Sequence, residues 1–380
     1  MRIAIFDYKV VPTNPVGSSR RRILAGLCQE HEFTVFAVEF DNPCPERIRF
    51  VRVPVPTRPL ALLFLAYHLV APVVYWLHRL RTGARFDLVQ IVESNLSFGE
   101  ISSVHFCHRA YLERYWKQAG AKGLRGWLRW LDHWLHALVE PWVFRGARRM
   151  VVPSQGLKRE LEETYPFVRG KVTVIPNPVD LDRMRPPEDF DRDGFRQERG
   201  VGPGEVVLVF VALGHFERKG LPLVLEALRG LGDLPVRLWV VGGEADLVRG
   251  WRERVERVGV ADRVTFWGMQ KDVRPFFWGA DAFVLPSLYE VFPLVSLEAA
   301  AAGLPLIVTP LYGVEEFMRD GETGFVVERS AEGVAEGLRR FISLPPEARR
   351  KLGERAQEAV APYGVEPFVE AWHRFYADLG

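Results

Sequence analysis

Short apolar runs alternate with amphipathic stretches along the whole chain. In the first half, RIAIFDY (2–8), EFTVFAVEF (32–40), FDLVQIV (86–92), SSVHFCH (102–108), RRMVVPS (148–154) and KVTVIPN (171–177) read as strands. A second series follows: EVVLVFVALG (205–214), VRLWVVGG (236–243), RVTFWG (263–268), DAFVLPS (281–287), LPLIVTP (304–310) and GFVVE (324–328). Helical periodicity occupies 219–231, 246–259, 293–302 and 331–343. Continuous apolar strands with helices between them predict parallel sheets covered on both faces. Two such series predict two doubly wound α/β domains. Between them, VIPNPVDLDRMRPPEDFDRDG is dense in Pro, Asp and Arg and nearly aperiodic, which reads as a linker. The predicted division is therefore 1–177, 178–362 and a final helix in 363–380. That helix carries Phe368, Trp372, Phe375 and Tyr376 towards one side and is expected to pack back on the first domain.

Composition narrows the class. A chain of 380 residues exceeds one ordinary core. Hydrophobic residues at 48% and charged residues at 26% describe a soluble globular protein. A net charge of +2 argues against nucleic acid as a main partner. Three cysteines, Cys28, Cys44 and Cys107, without a CxxC spacing fit a reducing compartment and give neither a disulfide framework nor a zinc site. Met1 leads directly into a strand, so a cleaved secretory signal is not expected. The stretch Leu60 to Leu80 is long and apolar, but His68, Pro72 and His78 within it favour a buried or interfacial helix over a membrane span.

Candidate chemistry gathers at strand ends of the second half. Ligands of doubly wound sheets bind outside the carboxyl ends of the strands, where loops enter helix N-termini. Glu290 falls in such a loop, and Glu298 lies in the helix that follows, between Leu297 and Ala299. A carboxylate among Leu and Ala is costly without hydrogen-bond donors, and a pair of ribose hydroxyls would supply them. The first helical turn has unpaired N–H groups and a dipole that favours anions, so 291–296 is a candidate phosphate cradle. Arg218 and Lys219 open another helix of the same half, where cations oppose the dipole unless they face an anion. Plainer readings stay open for each residue alone: an acidic group at a helix start, a Glu–Arg pair, a solvated basic turn. Together, two acidic and two basic groups at strand ends of one domain fit a nucleotide diphosphate.

With those residues in place, the second half resembles the retaining family-4 glycosyltransferases. Their Glu–seven residues–Glu signature corresponds to Glu290 and Glu298 in PSLYEVFPLVSLEAAAAGLPLIV, and their basic turn to ERKG (217–220). Pro176, Asn177 and Asp180, VVPSQGLKREL (151–161) and DGETGFVVE (320–328) match further family positions. The resemblance implies a GT-B architecture, two facing Rossmann-like domains with an interdomain cleft. It implies that Glu298 holds the ribose of a nucleotide diphosphate-sugar and that Glu290 contacts the transferred sugar. Lys219 with Arg218 would neutralise the leaving diphosphate, and backbone amides around Phe292, Leu294 and Val295 would bind phosphate and sugar oxygens. Gly268, Met269 and Gln270 would read the base through their backbone. No metal ion and no separate cofactor are implied.

In the first half, Gly17 is expected in a loop where backbone approaches the diphosphate, with an ordinary loop glycine as the plainer alternative. His108 in FCHRAY is the better match to the family's histidine facing the reacting sugar, ahead of His105. Three departures are visible: His215 where the family often has Arg, Val291 where many members have Gly, and Pro178 in place of a common Gly. Residues 109–149 hold nine Arg/Lys against three Asp/Glu with Trp116, Trp127, Trp130, Trp134 and Trp142. That interleaving resembles an interfacial helix resting on anionic lipid, and equally a helix packing Trp and Leu on the core with Arg in water. The expectation is a retaining, metal-independent transferase acting on a glycan or lipid-linked acceptor of the cell envelope. It would be cytoplasmic, with possible peripheral attachment to the inner face of the plasma membrane. A sugar-nucleotide epimerase and a non-catalytic nucleotide-sugar or membrane-binding protein are the rivals.

Overall fold

The structure, a computed structural model, describes residues 1–119 and 123–379. Gly120, Ala121 and Lys122 of the basic segment 109–149, and Gly380 of the predicted final helix, lie outside the described residues. Two compact units are present: Met1–Pro178 together with the chain from Val365 onward, and Val179–Gly364.

The first unit contains β1 (Arg2–Phe6), β2 (Lys9–Val10), β3 (Glu32–Ala37), β4 (Glu39–Phe40) and β5 (Arg49–Arg52). It continues with β6 (Leu88–Val92), β7 (Ile101–Ser103), β8 (Arg149–Val152) and β9 (Val172–Val174). Seven of these form a parallel sheet in the order β5-β3-β1-β6-β7-β8-β9, and β2 pairs with β4 alongside. The chain leaves β1 for β3 and β5, then crosses back to β6 on the other side. A topological switch point therefore lies between β1 and β6.

Helix α1 (Pro15–Leu27) starts where Asn14 accepts the Gly17 N–H and Pro15 presets the first turn. Helix α2 (Leu60–Thr82) ends at Gly83, which adopts a left-handed φ of 66°. One stripe of α2, including Leu63, Phe64, Tyr67, Ala71 and Tyr75, is buried, and the Tyr67 hydroxyl donates to the Phe36 carbonyl at 2.7 Å. By length and composition α2 could cross a membrane, with a mean hydropathy of 2.0 over 18 residues. Its docked stripe instead makes it a cover for the sheet. Leu65, Leu69, Trp76 and Leu80 on α2 remain exposed. Helices α3 (His108–Arg114) and α4 (Gly123–Gly146) follow; α4 packs on both α2 and α3 and exposes Trp127, Trp130, Trp134, Leu138 and Trp142.

SSVHFCH is expected to be strand throughout, but pairing stops at Ser103 and a helix starts at His108. Three residues from β7 suffice to pair with β8, and the following backbone turns into α3, so His105 and His108 sit in different settings.

The C-terminal helix Val365–Ala377 completes the core of the first unit. Phe368, Trp372, Phe375 and Tyr376 join the cluster formed by Ile3, Ile5, Ile23 and Leu24. A side chain on Gly26 would come within 2.5 Å of Val369, so the glycine permits the close crossing of α1 and this helix. The Arg20 guanidinium lies 5.6 Å from the Trp372 ring centroid.

The second unit has β10 (Val206–Val211), β11 (Val236–Val241), β12 (Val264–Gly268), β13 (Ala282–Leu285), β14 (Leu306–Val308) and β15 (Gly324–Val326). Their order is β12-β11-β10-β13-β14-β15, all parallel, with the switch point between β10 and β13. The segment read as an aperiodic linker is ordered instead. Asp180 and Asp191 cap the short helices Leu181–Met184 and Arg192–Gln197. Arg192 and Arg196 then bind Asp281 at 2.7 and 3.0 Å, fastening the segment beside β13. Its Asp and Arg content reflects caps and ion pairs, which carry no hydrophobic period.

Replacing Trp372 with Ala should destabilise the first unit by about 3–5 kcal/mol. The check is a urea melt followed by a probe within residues 1–178, where an unchanged midpoint would remove the C-terminal helix from that core.

Candidate active site

The second unit brings the predicted acidic and basic residues to one place. Lys219 and Arg218 come from the turn after β10, and Glu290 from the loop after β13, so the two segments flank the switch point. Lys219 Nζ lies 2.8 Å and Arg218 Nη1 3.4 Å from Glu290 Oε1. Ser287 Oγ donates to the same oxygen at 3.0 Å, and Thr309 Oγ1 donates to the Ser287 carbonyl at 2.8 Å. The Arg218 guanidinium also donates to the Tyr289 carbonyl, while the Leu288 N–H returns to the Arg218 carbonyl at 2.9 Å. The two loops are thus laced together by backbone as well as by charge.

Burial alone would push the Glu290 carboxyl up, but Lys219 and Arg218 outweigh it and hold the group below its ordinary value of 4.5. Two cations against one carboxylate leave an excess positive charge at the switch point. An anion arriving there would find it already organised.

Glycine geometry explains how the loops come so close. Gly220 has a left-handed φ of 85°, and a Cβ on it would stand 2.1 Å from the Pro286 carbonyl oxygen. His215 also adopts a positive φ, 57°. The helix Leu294–Ala301 begins at Pro293, so the N–H groups of Leu294 and Val295 lie in a first turn that lacks intrahelical acceptors. Phe292 is buried and packs 6.1 Å from the Tyr363 ring, leaving its backbone as the part it can offer. Glu298 is half-buried one turn into this helix, between fully buried Leu297 and Ala299.

Gly268 closes β12 with a φ of 62°, and its carbonyl accepts the Gly242 N–H at 2.7 Å. Met269 is 53% exposed, and the Gln270 amide turns back to the Trp267 carbonyl at 2.6 Å. These residues lie two strands from β10, about 10 Å at the usual ~4.8 Å spacing. They share the carboxyl edge of the sheet with Lys219 and Glu290.

In the first unit the expected residues separate. Gly17 lies in the first turn of α1, not in a loop. Its N–H is taken by Asn14 Oδ1 at 2.8 Å, and a Cβ would stand 2.2 Å from the Lys9 carbonyl oxygen. Close packing against β2 accounts for this glycine. His108 is drawn into a buried cluster: its Nδ1 is 2.9 Å from His133 Nδ1 and its Nε2 3.4 Å from Glu93 Oε2. Burial works against its charged ring, yet Glu93 with Glu140 and Asp132 holds it above the ordinary value. Glu140 accepts the His108 and Arg109 N–H groups at 2.7 and 3.2 Å and the Tyr165 hydroxyl at 2.7 Å. Glu93, His108 and His136 have potential ligand atoms within 4.8 Å of one another. The His108 and His136 rings, however, stack 4.1 Å apart at 8°. Imidazole lone pairs lie in the ring plane, so two parallel stacked rings do not aim at one ion as they stand.

His105 stands instead just past the end of β7, lining a small cavity with Ser19, Arg20 and Asn177. Burial pushes its ring down to about 4, so it is neutral. Asp7, just past β1, is pushed up to about 6 by burial against the opposing pull of Arg20. Glu93, just past β6, takes a φ of 51° that is unusual for a residue with a side chain. Asp7 and Glu93 flank the switch point of the first unit, and sequence reasoning missed both, as it missed Ser287 and Thr309. Only Ser287 had a signal, its place in the quoted PSLYE stretch.

Comparisons with known proteins bear on the family and the fold. A family model described as glycosyl transferases group 1 matches residues 191–359, and one described as glycosyltransferase family 4 matches residues 19–183. The D-inositol 3-phosphate glycosyltransferase of Nocardia farcinica is 34% identical over 199 residues, 50% of this chain and 43% of the relative. The chain spans about half the length of the curated relatives it matches. Among solved structures, WaaG, a glycosyltransferase involved in lipopolysaccharide biosynthesis, superposes with a TM-score of 0.76 at 22% identity, over 97% of this chain and 98% of its own. Anabaena HepE in complex with UDP-glucose gives 0.74 at 17% identity over 100% of both chains.

Because Glu290 is held down, its ion pair contributes stability that is complete above the carboxyl's unfolded value and is lost as pH falls through the lower folded value. Lys219→Met leaves only the more distant Arg218 against the same burial. The acid-side pH dependence of the second unit's stability should therefore shrink, as urea midpoints between about pH 3 and 7 would show. An unaltered pH profile would mean that Lys219 does not set the Glu290 charge.

Proposed function

We propose, for a chain that belongs to the group 1, family-4 glycosyltransferases and has their GT-B fold, transfer of a sugar from a nucleotide diphosphate-sugar to an acceptor hydroxyl with retention of anomeric configuration. The observation that carries this reading is Glu290 held between Lys219 and Arg218 at the switch point of the second unit. On this reading the base lies at Gly268–Gln270 and the ribose on Glu298. The diphosphate lies over the helix start at Leu294 and Val295, and the sugar against Glu290. Lys219 and Arg218 take up the charge that grows on the diphosphate as the glycosidic bond breaks, without a metal ion. UDP is the first nucleotide to test, because HepE is seen with UDP-glucose.

The acceptor is a lipid-linked sugar or an envelope glycan precursor. WaaG's role in lipopolysaccharide biosynthesis supports that class, and so does the surface of the first unit. Helix α2 exposes Leu65, Leu69, Trp76 and Leu80, and α4, which packs on it, exposes Trp127, Trp130, Trp134 and Trp142. Arg79 and Arg81 close α2, and Arg145, Arg148 and Arg149 end α4 and enter β8. Exposed apolar side chains on two packed helices, with arginines at the helix ends, suit the inner face of an anionic membrane. We place the protein in the cytoplasm, peripherally attached there.

A thermal-shift panel of UDP, GDP, ADP and TDP, with and without chelator, should give one selective, chelator-insensitive shift that Glu298→Ala abolishes. No shift with any nucleotide would sink the donor reading. In vesicle flotation, the protein should rise with phosphatidylglycerol and not with phosphatidylcholine. Trp76→Ser with Trp142→Ser should lose flotation and keep the nucleotide shift. Equal flotation by that variant would move the membrane contact elsewhere.

A further inference from the structure

We propose that the amino edge of the first unit's sheet binds the phosphomonoester headgroup of an anionic membrane lipid, in a site built by Arg2, Arg47, Arg49 and Arg85 at the C-terminal end of α2. The site rests on the peripheral-membrane reading of the same unit and adds to it a choice of lipid. A cavity of about 430 Å³ lies there, within the ~300–1,000 Å³ usual for small-ligand sites. Its arginines come from separate stretches of chain. Arg2 opens β1, Arg47 and Arg49 stand at the start of β5, and Arg85 lies between α2 and β6. Thr82 and Gly83, where α2 ends, line it as well. Asp7 and Glu93 mark the opposite, carboxyl edge of this sheet, so the cavity is separate from that switch point.

The charge in the cavity is not cancelled. Asp87 takes Arg2, accepting its backbone N–H at 2.7 Å and lying 3.5 Å from its guanidinium. Glu32 is the one acidic residue of the lining. Arg47, Arg49 and Arg85 are exposed and have no ion-pair partner among the described residues. Four guanidiniums against Glu32 and Asp87 leave two positive charges. Burial, and after it the Arg49 charge, hold the His78 ring below its ordinary value of 6.5, so the field of Arg49 reaches α2. A phosphomonoester carries about −1.5 to −2 charges near neutrality, and guanidinium forks bind its oxygens in pairs.

The surface beside the cavity favours a lipid as the bearer of that phosphate. Leu62, Leu65, Leu69, Val73, Trp76 and Leu80 are exposed on α2, and spacings of three and four residues put them on one face. They form a stripe opposite the docked Phe64, Tyr67, Ala71 and Tyr75. Leu80 precedes Thr82, the first α2 residue to line the cavity, by ~3 Å of helix axis. The Arg79 guanidinium packs over Trp76, 4.7 Å from a ring centroid. An apolar stripe that ends at a cationic cavity matches a molecule with acyl chains at one end and phosphate at the other. A free phosphate would use the arginines and leave the stripe untouched.

The test measures partition of the full chain onto phosphatidylcholine vesicles carrying phosphatidic acid, and onto vesicles of matched surface charge carrying phosphatidylglycerol, whose phosphate is a diester. The wild type should prefer phosphatidic acid by roughly tenfold. Arg47→Ser with Arg49→Ser and Arg85→Ser should bring that ratio to about one. Arg81→Ser with Arg145→Ser and Arg148→Ser removes as much charge elsewhere on the unit, and should weaken both partitions while keeping the ratio. Equal partition of the wild type, a preference that survives in the first variant, or its loss in both variants would overturn the site and leave the membrane reading standing. Partition onto neither lipid would remove both. Inorganic phosphate that abolishes the preference as effectively as dihexanoyl phosphatidic acid would make free phosphate the ligand and overturn the lipid assignment.

Discussion

Glu290 is ionised and nearly out of water, and it stays so because two cations reach it from a different strand. That requirement fixes much of the second unit. The loop after β10 must lie against the loop after β13, which is possible only if the residue between them has no side chain, and Gly220 has none. The backbone hydrogen bond from the Leu288 N–H to the Arg218 carbonyl holds the approach independently of the side chains. Ser287 is bound to the carboxylate and, through its carbonyl, to Thr309 after β14. Three strands of the sheet therefore bear on one oxygen atom. A site built in this way needs no rearrangement to present positive charge to a phosphate.

The first unit repeats the topology with different chemistry. Its switch point carries Asp7 and Glu93, with Arg20 near the first and His105 and His108 near the second. Burial raises Asp7 and depresses His105, so these groups tend towards neutrality, while His108 gains charge from its acidic neighbours. One unit concentrates fixed charge and the other poised, mostly weakened charge.

Which parts were legible in the sequence follows from what each depends on. Glu290, Lys219 and Arg218 could be brought together because strand ends in a parallel sheet share an edge, and the apolar runs located those ends. Gly17 could be found but not interpreted: its role is to let Lys9 approach, a contact made by a two-residue strand with no periodicity to detect. His105 and His108 are three residues apart, and their separation turns on β7 pairing for only three residues, a local ending that apolar pattern does not mark. Glu93 becomes notable through a backbone angle. The supposed linker misled because capping and ion pairing leave no hydrophobic period.

The return of the C-terminal helix to the first unit has a consequence for synthesis. Trp372 and Tyr376 are core residues of a sheet whose strands all precede Ile175. A core cannot close before its residues exist outside the ribosome, so the unit that starts first is completed last. The second unit, continuous from Val179 to Gly364, has its whole core available while the first still exposes the groove between α1 and its sheet. Domains made in tandem ordinarily fold from the N-terminus onward. Here the order of completion is inverted, and the exposed apolar groove of α1 must survive the time taken to translate nearly two hundred further residues, about 10–40 s at 5–20 residues per second.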